Sequence, residues 1–259
     1  MIHFIGAGPG APDLVTIRGA ELIARCPVVI YAGSLVPAAV VARARPGARV
    51  IDSAGLTLDE VVALMARAHA DGLDVARVHT GDPSLFGATA EQMRRLDALG
   101  LPYDVVPGVS SFTAAAAALR RELTVPGISQ AVIIARAAGR TPVPDGQELA
   151  ALAAHRATLA LFLSAGALEE VAAALRPAYG ADCPAAVVHR ASWPDQQVIE
   201  GTLSTIAGEA ARAGINSTAM ILVGPALAPP AFPDSRLYAA GFAHGFRVAQ
   251  AAPEEDPRD

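Results

Sequence analysis

The chain has 259 residues, 53% hydrophobic and 17% charged, with 20 basic against 25 acidic side chains and a formal charge of −5; that allows one or two domains with a real core and excludes intrinsic disorder. All the basic side chains are arginine, so no lysine is present to hold phosphate in a P-loop, form a Schiff base with pyridoxal phosphate or serve a kinase. No basic cluster marks a nucleic-acid surface, and no apolar run free of charge and proline reaches the roughly 18 residues that would span a bilayer.

Ile2 to Ile5 reads as a short apolar strand. No basic region precedes an apolar stretch there, so no export signal is expected and the chain is expected in the cytoplasm. Gly6-Ala7-Gly8-Pro9-Gly10-Ala11-Pro12 follows, then a helical pattern from Val15 to Arg25 and a strand at Val28 to Tyr31. A third strand is expected at Arg49 to Ile51. Thr57 and Glu60 have the spacing of a capping box opening a helix through Val61, Leu64, Met65 and Ala68. Val75 to Val78 is a strand leading into Thr80-Gly81-Asp82-Pro83, with a helix expected from about Leu85 to Leu99. Tyr103 to Val106 runs into Pro107-Gly108, and Ser110-Ser111 are placed to cap the alanine-rich helix that reaches Arg120. Strands alternating with helices of this length predict a parallel sheet.

Glu122 to Ser129 carries Pro126-Gly127 and no clear period, which suits a linker. Beyond it, strands are expected at Val132 to Ile134, Leu159 to Leu163, Ala185 to Val188, Gln197 to Ile199 and Ala219 to Val223. Helices are expected near Gln147 to His155, Leu168 to Leu175 and Leu203 to Ala213. The prolines after Gly224 favour an extended tail. The reading is two α/β domains, residues 1–121 and 122–247, with a cleft between them and a disordered tail at 248–259.

Gly6-x-Gly8-x-x-Ala11 satisfies the loose dinucleotide fingerprint. However, Pro9 and Pro12 lack the N–H donors that pyrophosphate needs, and the second strand ends in Tyr31-Ala32-Gly33 with no carboxylate for a ribose. The loop is either a tight strand exit or the wall of a different cofactor pocket. At Thr80-Gly81-Asp82-Pro83 the glycine would let backbone approach a ligand and Asp82 could accept hydrogen bonds, although a turn with a helix cap accounts for the same residues. Pro107-Gly108-Val109-Ser110-Ser111 repeats the theme, and open α/β sheets bind ligands at that edge. Cys26 and Cys183 lack CxxC spacing, and the six histidines form no HExxH. There is no GxSxG elbow.

Together these segments resemble the tetrapyrrole methylases. Gly6-Ala7-Gly8-Pro9-Gly10 matches their opening loop, Val78-His79-Thr80-Gly81-Asp82-Pro83-Ser84-Leu85-Phe86-Gly87 their GDP segment, and Tyr103 to Gly108 their fifth-strand exit. Tyr31 to Val36, Ser129 to Ile134, Gly139-Arg140-Thr141-Pro142-Val143-Pro144 and Leu159 to Ser164 point to the branch that methylates C11 of precorrin-4 in cobalamin synthesis. The likeness covers about residues 1–247. It departs at Val125-Pro126-Gly127-Ile128, at Ala135 and at Tyr238-Ala239-Ala240, all relevant to the substrate face.

The resemblance implies two α/β domains and a homodimer that uses S-adenosyl-L-methionine on a small-molecule tetrapyrrole, with no nucleic acid or membrane partner. It implies cofactor contacts from Pro9, Gly81, Asp82, Leu85, Ser110 and Ser111 in the first half and from Leu163, Ala191 and Ala219 in the second. The many carboxylates of such a substrate call for arginines. Arg120, Arg121, Arg136 and Arg140 are the candidates, with plain surface arginines as the alternative. No catalytic side chain and no metal are required, because the sulfonium brings its own leaving group. Competing readings are another acceptor of the same family, a dinucleotide-dependent oxidoreductase using the first loop, and a silent tetrapyrrole-binding scaffold.

Overall fold

A computed structural model describes residues 1–249. The first sheet contains β1 (Ile2–Gly6), β2 (Val28–Tyr31), β3 (Arg49–Asp52), β4 (Val75–His79) and β5 (Tyr103–Val106), all parallel, in the order β3-β2-β4-β1-β5. Two of its three inner strands, β1 and β4, are buried along their whole length, as expected of parallel strands covered on both faces. Alternation along the strands divides the core. Ile5, Val29, Ala76 and Val78 pack under α1 (Ile17–Arg25) and the short α2 (Ala38–Val41). Ile2, Phe4, Ile30 and Val75 pack under α3 (Leu58–Ala70) and α4 (Ala90–Ala98). The capping box forms: Thr57 Oγ1 accepts from the Glu60 amide at 3.3 Å, and the Thr57 amide donates to Glu60 Oε2 at 2.7 Å.

The second sheet is mixed. It holds β6 (Val132–Arg136), β7 (Thr158–Phe162), β8 (Pro184–His189), β9 (Gln197–Thr202) and β10 (Ala219–Val223), in the order β6-β7-β10-β8-β9. Only β6 and β7 are parallel; β10 runs antiparallel to both β7 and β8, and β9 antiparallel to β8. The α6 (Leu149–Ala153), α7 (Leu168–Tyr179) and α8 (Ile206–Arg212) helices cover the face that carries Leu159, Leu161, Val187, Ile221 and Val223. The other face, with Ala160, Ala186, Val188, Met220 and Leu222, is covered by α5 (Ser111–Leu119) through Ala114, Ala115, Ala116 and Leu119. Thus α5 leaves the first sheet and enters the core of the second.

The structure differs from the sequence expectations at several points. The α4 helix starts at Ala90, not Leu85, because Phe86 (φ 50°) and Ala88 (φ 49°) are left-handed, and the Thr89 hydroxyl ties the loop back to the Pro83 carbonyl at 2.8 Å. Ser110 stands at the N-cap of α5, but its side chain makes no capping bond. The four residues of α2 are too few to show a period. The proline-rich stretch is not simply extended: Pro225–Leu227 is a 3-10 turn that buries Ala226 and Leu227. The Arg247 guanidinium gathers the carbonyls of Leu237, Ala239 and Phe242 into a closed loop. From residue 250 onward the expected tail lies outside the described residues.

Candidate active site

The three glycine-bearing exits of the first sheet meet. Gly8 and Gly81 exchange backbone hydrogen bonds of 3.2 and 2.7 Å. A Cβ on Gly6 would lie 2.5 Å from the Cα of Gly108, and one on Gly108 would lie 2.1 Å from the Gly81 carbonyl oxygen. No side chain fits at either position. Asp82 fastens this crossing: Oδ2 accepts from the Gly108 amide at 2.8 Å, while Oδ1 accepts from the Ser84 amide at 2.8 Å and from the Ser84 hydroxyl. Partial burial opposes its charge, yet the hydrogen bonds from Ser84 and Gly108 prevail and hold the carboxyl below the usual carboxylate range. Both carboxylate oxygens are therefore used by the fold. Ser110 and Ser111 adjoin Gly81, whose Cβ direction points to their backbone at 3.8–3.9 Å. Ser110 is buried and Leu85 is half-buried.

The second sheet presents Leu163 after β7, Ala191 after β8 and Ala219 at the start of β10. Because β10 is antiparallel, its first residue pairs with His189, the last of β8, and these positions share one edge. Ala191 is buried, whereas Leu163 is 74% exposed and left-handed at φ 54°. Arg190 (φ 48°), Ser192 (φ 70°) and Thr218 (φ 50°) are left-handed along the same edge.

The two edges face each other and touch in two places. The Ala11 amide donates to Ser192 Oγ at 2.9 Å, and Trp193 Nε1–H donates to the Pro9 carbonyl at 2.9 Å, the indole filling the space where Gly10 has no Cβ. Farther along, the rings of Phe86 and Phe162 lie 4.9 Å apart. The structure therefore gathers Pro9, Gly81, Asp82, Leu85, Ser110 and Ser111 on one side of a seam and Leu163, Ala191 and Ala219 on the other.

It does not gather the four arginines. Arg136 donates to the carbonyls of Thr141 (3.1 Å) and Pro142 (2.6 Å), clamping the turn that carries the exposed Arg140. Beside this turn lies a groove of about 360 Å³ lined by Phe86, Ile133, Ala135, Arg136, Val143 and Pro144. Arg120 is the left-handed residue closing α5, and Arg121 approaches Glu200 at 3.9 Å. Both sit at the far end of α5 from Ser110, about 14 Å along a helix of that length.

Residues 1–207 match the Tetrapyrrole (Corrin/Porphyrin) Methylases. The chain belongs to this family. A precorrin-4 C(11)-methyltransferase of Pseudomonas aeruginosa is 52% identical over 249 residues, 96% of this chain and 99% of the relative. A cobalt-precorrin-4 C(11)-methyltransferase of Methanocaldococcus jannaschii is 43% identical over 95% of each. Among solved structures, the cobalt precorrin-4 methyltransferase CbiF superposes with a TM-score of 0.86 at 44% identity, over 88% of this chain and 96% of that one. A uroporphyrin-III C-methyltransferase from Thermus thermophilus, complexed with S-adenosylhomocysteine, gives 0.73 at 28% identity over 87% and 98%.

Within this methylase, the histidines at the two strand ends differ. His79 is buried against the ring of Phe4, and its Nε2 has no partner. Burial, with the charge of Arg77 adding to it, pushes the imidazole down to about 3, so it is neutral at ordinary pH and is not a poised acid or base. Arg77 is buried too, donating to Gln92 Oε1 and Ser53 Oγ, both at 2.9 Å, and burial pulls it down to about 10. His189 is half-buried, with Nδ1 enclosed and without a partner. Sequence reasoning missed the seam residues Ser192, Trp193 and Phe86. The one signal available was Trp193 itself, the chain's single tryptophan, in a polar loop where core packing does not require it.

Proposed function

We propose that the chain transfers a methyl group from S-adenosyl-L-methionine to C11 of precorrin-4 in cobalamin biosynthesis. The observation that carries this reading is identity of 50–53% across 92–96% of the chain to several precorrin-4 C(11)-methyltransferases. Cobalt-precorrin-4 relatives reach 43–44%, which favours the metal-free acceptor.

The glycine crossing suits the cofactor. The absent Cβ atoms of Gly6 and Gly108 let the strand exits pack on one another, which sets Gly81 beside the start of α5, and exposed Leu163 opposite offers apolar contact. Bound S-adenosylmethionine supplies an electrophilic methyl on sulfur and keeps the electron pair as a thioether. The protein's work is then alignment and exclusion of water. Pro9, Gly81, Leu85, Ser110 and Ser111 would form one wall and Leu163, Ala191 and Ala219 the other. The first-turn amides of α5 lack partners inside the helix and stand beside Gly81, where they suit a carboxylate. Asp82 would act by holding Gly108 and Gly81 in place. Arg136 would shape the turn at the substrate groove, and Arg140 at its tip would meet a carboxylate of the acceptor. Residues 1–121 and 122–247 would serve as the two halves of the site, with α5 joining them. A homodimer in the cytoplasm completes the reading; among the described residues no helix is long and apolar enough to cross a membrane.

Incubation with precorrin-4 and methyl-labelled S-adenosylmethionine tests the assignment. One label on C11 is expected. A label on another ring carbon would overturn the position and retain the class, and transfer to no tetrapyrrole would overturn both.

A further inference from the structure

Trp193 is fixed on several sides. Its Nε1–H donates to the Pro9 carbonyl at 2.9 Å, and its ring lies on Gly10, where an added Cβ would come within 2.1 Å of Cδ1. The Arg190 guanidinium stacks 4.1 Å from the ring centroid and is itself held by Asp195 at 2.6 Å. The neighbouring Ser192 takes the Ala11 amide on its hydroxyl at 2.9 Å and gives its own amide to Gln196 Oε1 at 2.7 Å. Arg190 and Ser192 hold left-handed backbones to make these contacts, a conformation that persists in non-glycine residues only where surrounding contacts enforce it.

Pro9 has no N–H, so its carbonyl is its only polar backbone group, and Trp193 takes it. We infer that Trp193 is a positioning residue for methyl transfer: it sets the depth of the glycine-rich loop, and hence where Pro9 meets the methyl donor. The inference rests on the donor occupying the seam as proposed above. Neutral apolar packing could also join two domains. Here a directional N–H bond fixes the loop of the first sheet to Trp193, and a cation–π stack holds the indole that makes it.

The test uses the full chain, with S-adenosylhomocysteine as the probe. Since Trp193 is the only tryptophan, its emission reports on the seam directly. In the wild type, emission should shift or quench along the same titration curve that calorimetry gives. Trp193→Phe keeps a ring on Gly10 and loses the donor; it should raise the KM for S-adenosylmethionine up to about fivefold, the net worth of one hydrogen bond, with kcat nearly unchanged and the melting temperature lowered by no more than roughly 4 °C. Ser192→Ala should move KM the same way while keeping the fluorophore. Wild-type binding with silent emission, or Trp193→Phe with unaltered affinity, would overturn the latch alone. A joint fall of kcat, affinity and melting temperature would reduce Trp193 to a structural contact and would also overturn it. A wild type that does not bind the probe would overturn the functional reading, and the latch with it.

Discussion

The two edges that face each other across the seam solve the same problem differently. At the first, three strand exits cross within van der Waals distance; Gly6 and Gly108 are there because a Cβ has no room, and Gly81 because its backbone is left-handed at φ 61°. At the second, the chain turns as sharply at Leu163, Arg190, Ser192 and Thr218, yet none of these is glycine. Left-handed backbone costs an ordinary residue roughly 1 kcal/mol or more, and these positions keep their side chains regardless. Ser192 and Arg190 use theirs to hold the opposite loop and its tryptophan, and Leu163 projects apolar surface into the open. The first edge is therefore a surface of backbone and the second a surface of side chains. Space dictates the residue at one, and the group to be displayed dictates it at the other.

That contrast can be broken first at its most crowded point. Gly108→Ala should destabilise the protein by about 3 kcal/mol, the upper range for overpacking, read as a lower urea midpoint at constant slope. The next effect belongs to the buried strand end. Folded His79 stays neutral down to about 3, whereas the unfolded chain takes up its proton near the ordinary 6.5. Between those values the unfolded state binds more protons, so stability is full above that window and falls as pH falls through it. The loss should be about 2 kcal/mol from pH 6.5 to 5, and His79→Leu should flatten it; an equally steep fall in the variant would assign the acid sensitivity elsewhere. Arg136→Met frees the Thr141 and Pro142 carbonyls and should raise the KM for the tetrapyrrole about tenfold, in line with lost charge-assisted bonds, leaving S-adenosylhomocysteine affinity intact in calorimetry. The smallest change in stability is expected at Leu163→Gly. Relief of the left-handed backbone should hold stability constant or raise it by up to about 1 kcal/mol, while affinity for S-adenosylhomocysteine drops. A gain in both would mean that the strain at Leu163 serves no ligand.

Much of the framework was legible. Val28–Tyr31, Tyr103–Val106 and Ala219–Val223 are strands at the bounds their apolar runs suggest, and Thr57 and Glu60 cap the helix their spacing announces. The start of α4 was not legible, since nothing in Phe86 or Ala88 as residue types announces a positive φ. The antiparallel entry of β10 was hidden as well, because strand direction follows from the route of the chain over the sheet and not from the pattern within the strand. At the site, the glycines of the first edge could be read as strand exits, whereas Leu163, Ala191 and Ala219 of the second came from the resemblance to the family. The employment of the charged groups could not: Asp82 and Arg136 look like ligand contacts in the sequence and are engaged by the Gly108 amide and by the Thr141 and Pro142 carbonyls in the fold.

By itself, the sequence determined the alternation of strands and helices, the two α/β halves and the glycine-bearing loops at three strand ends. These are local properties, set by side-chain volume and hydrophobic period over a few residues. The tertiary structure alone decided that Pro9 would meet Trp193 and Ala11 would meet Ser192, partners 184 and 181 positions apart. Such pairings arise only when two sheets pack edge to edge, and no local pattern encodes which edge a loop will face.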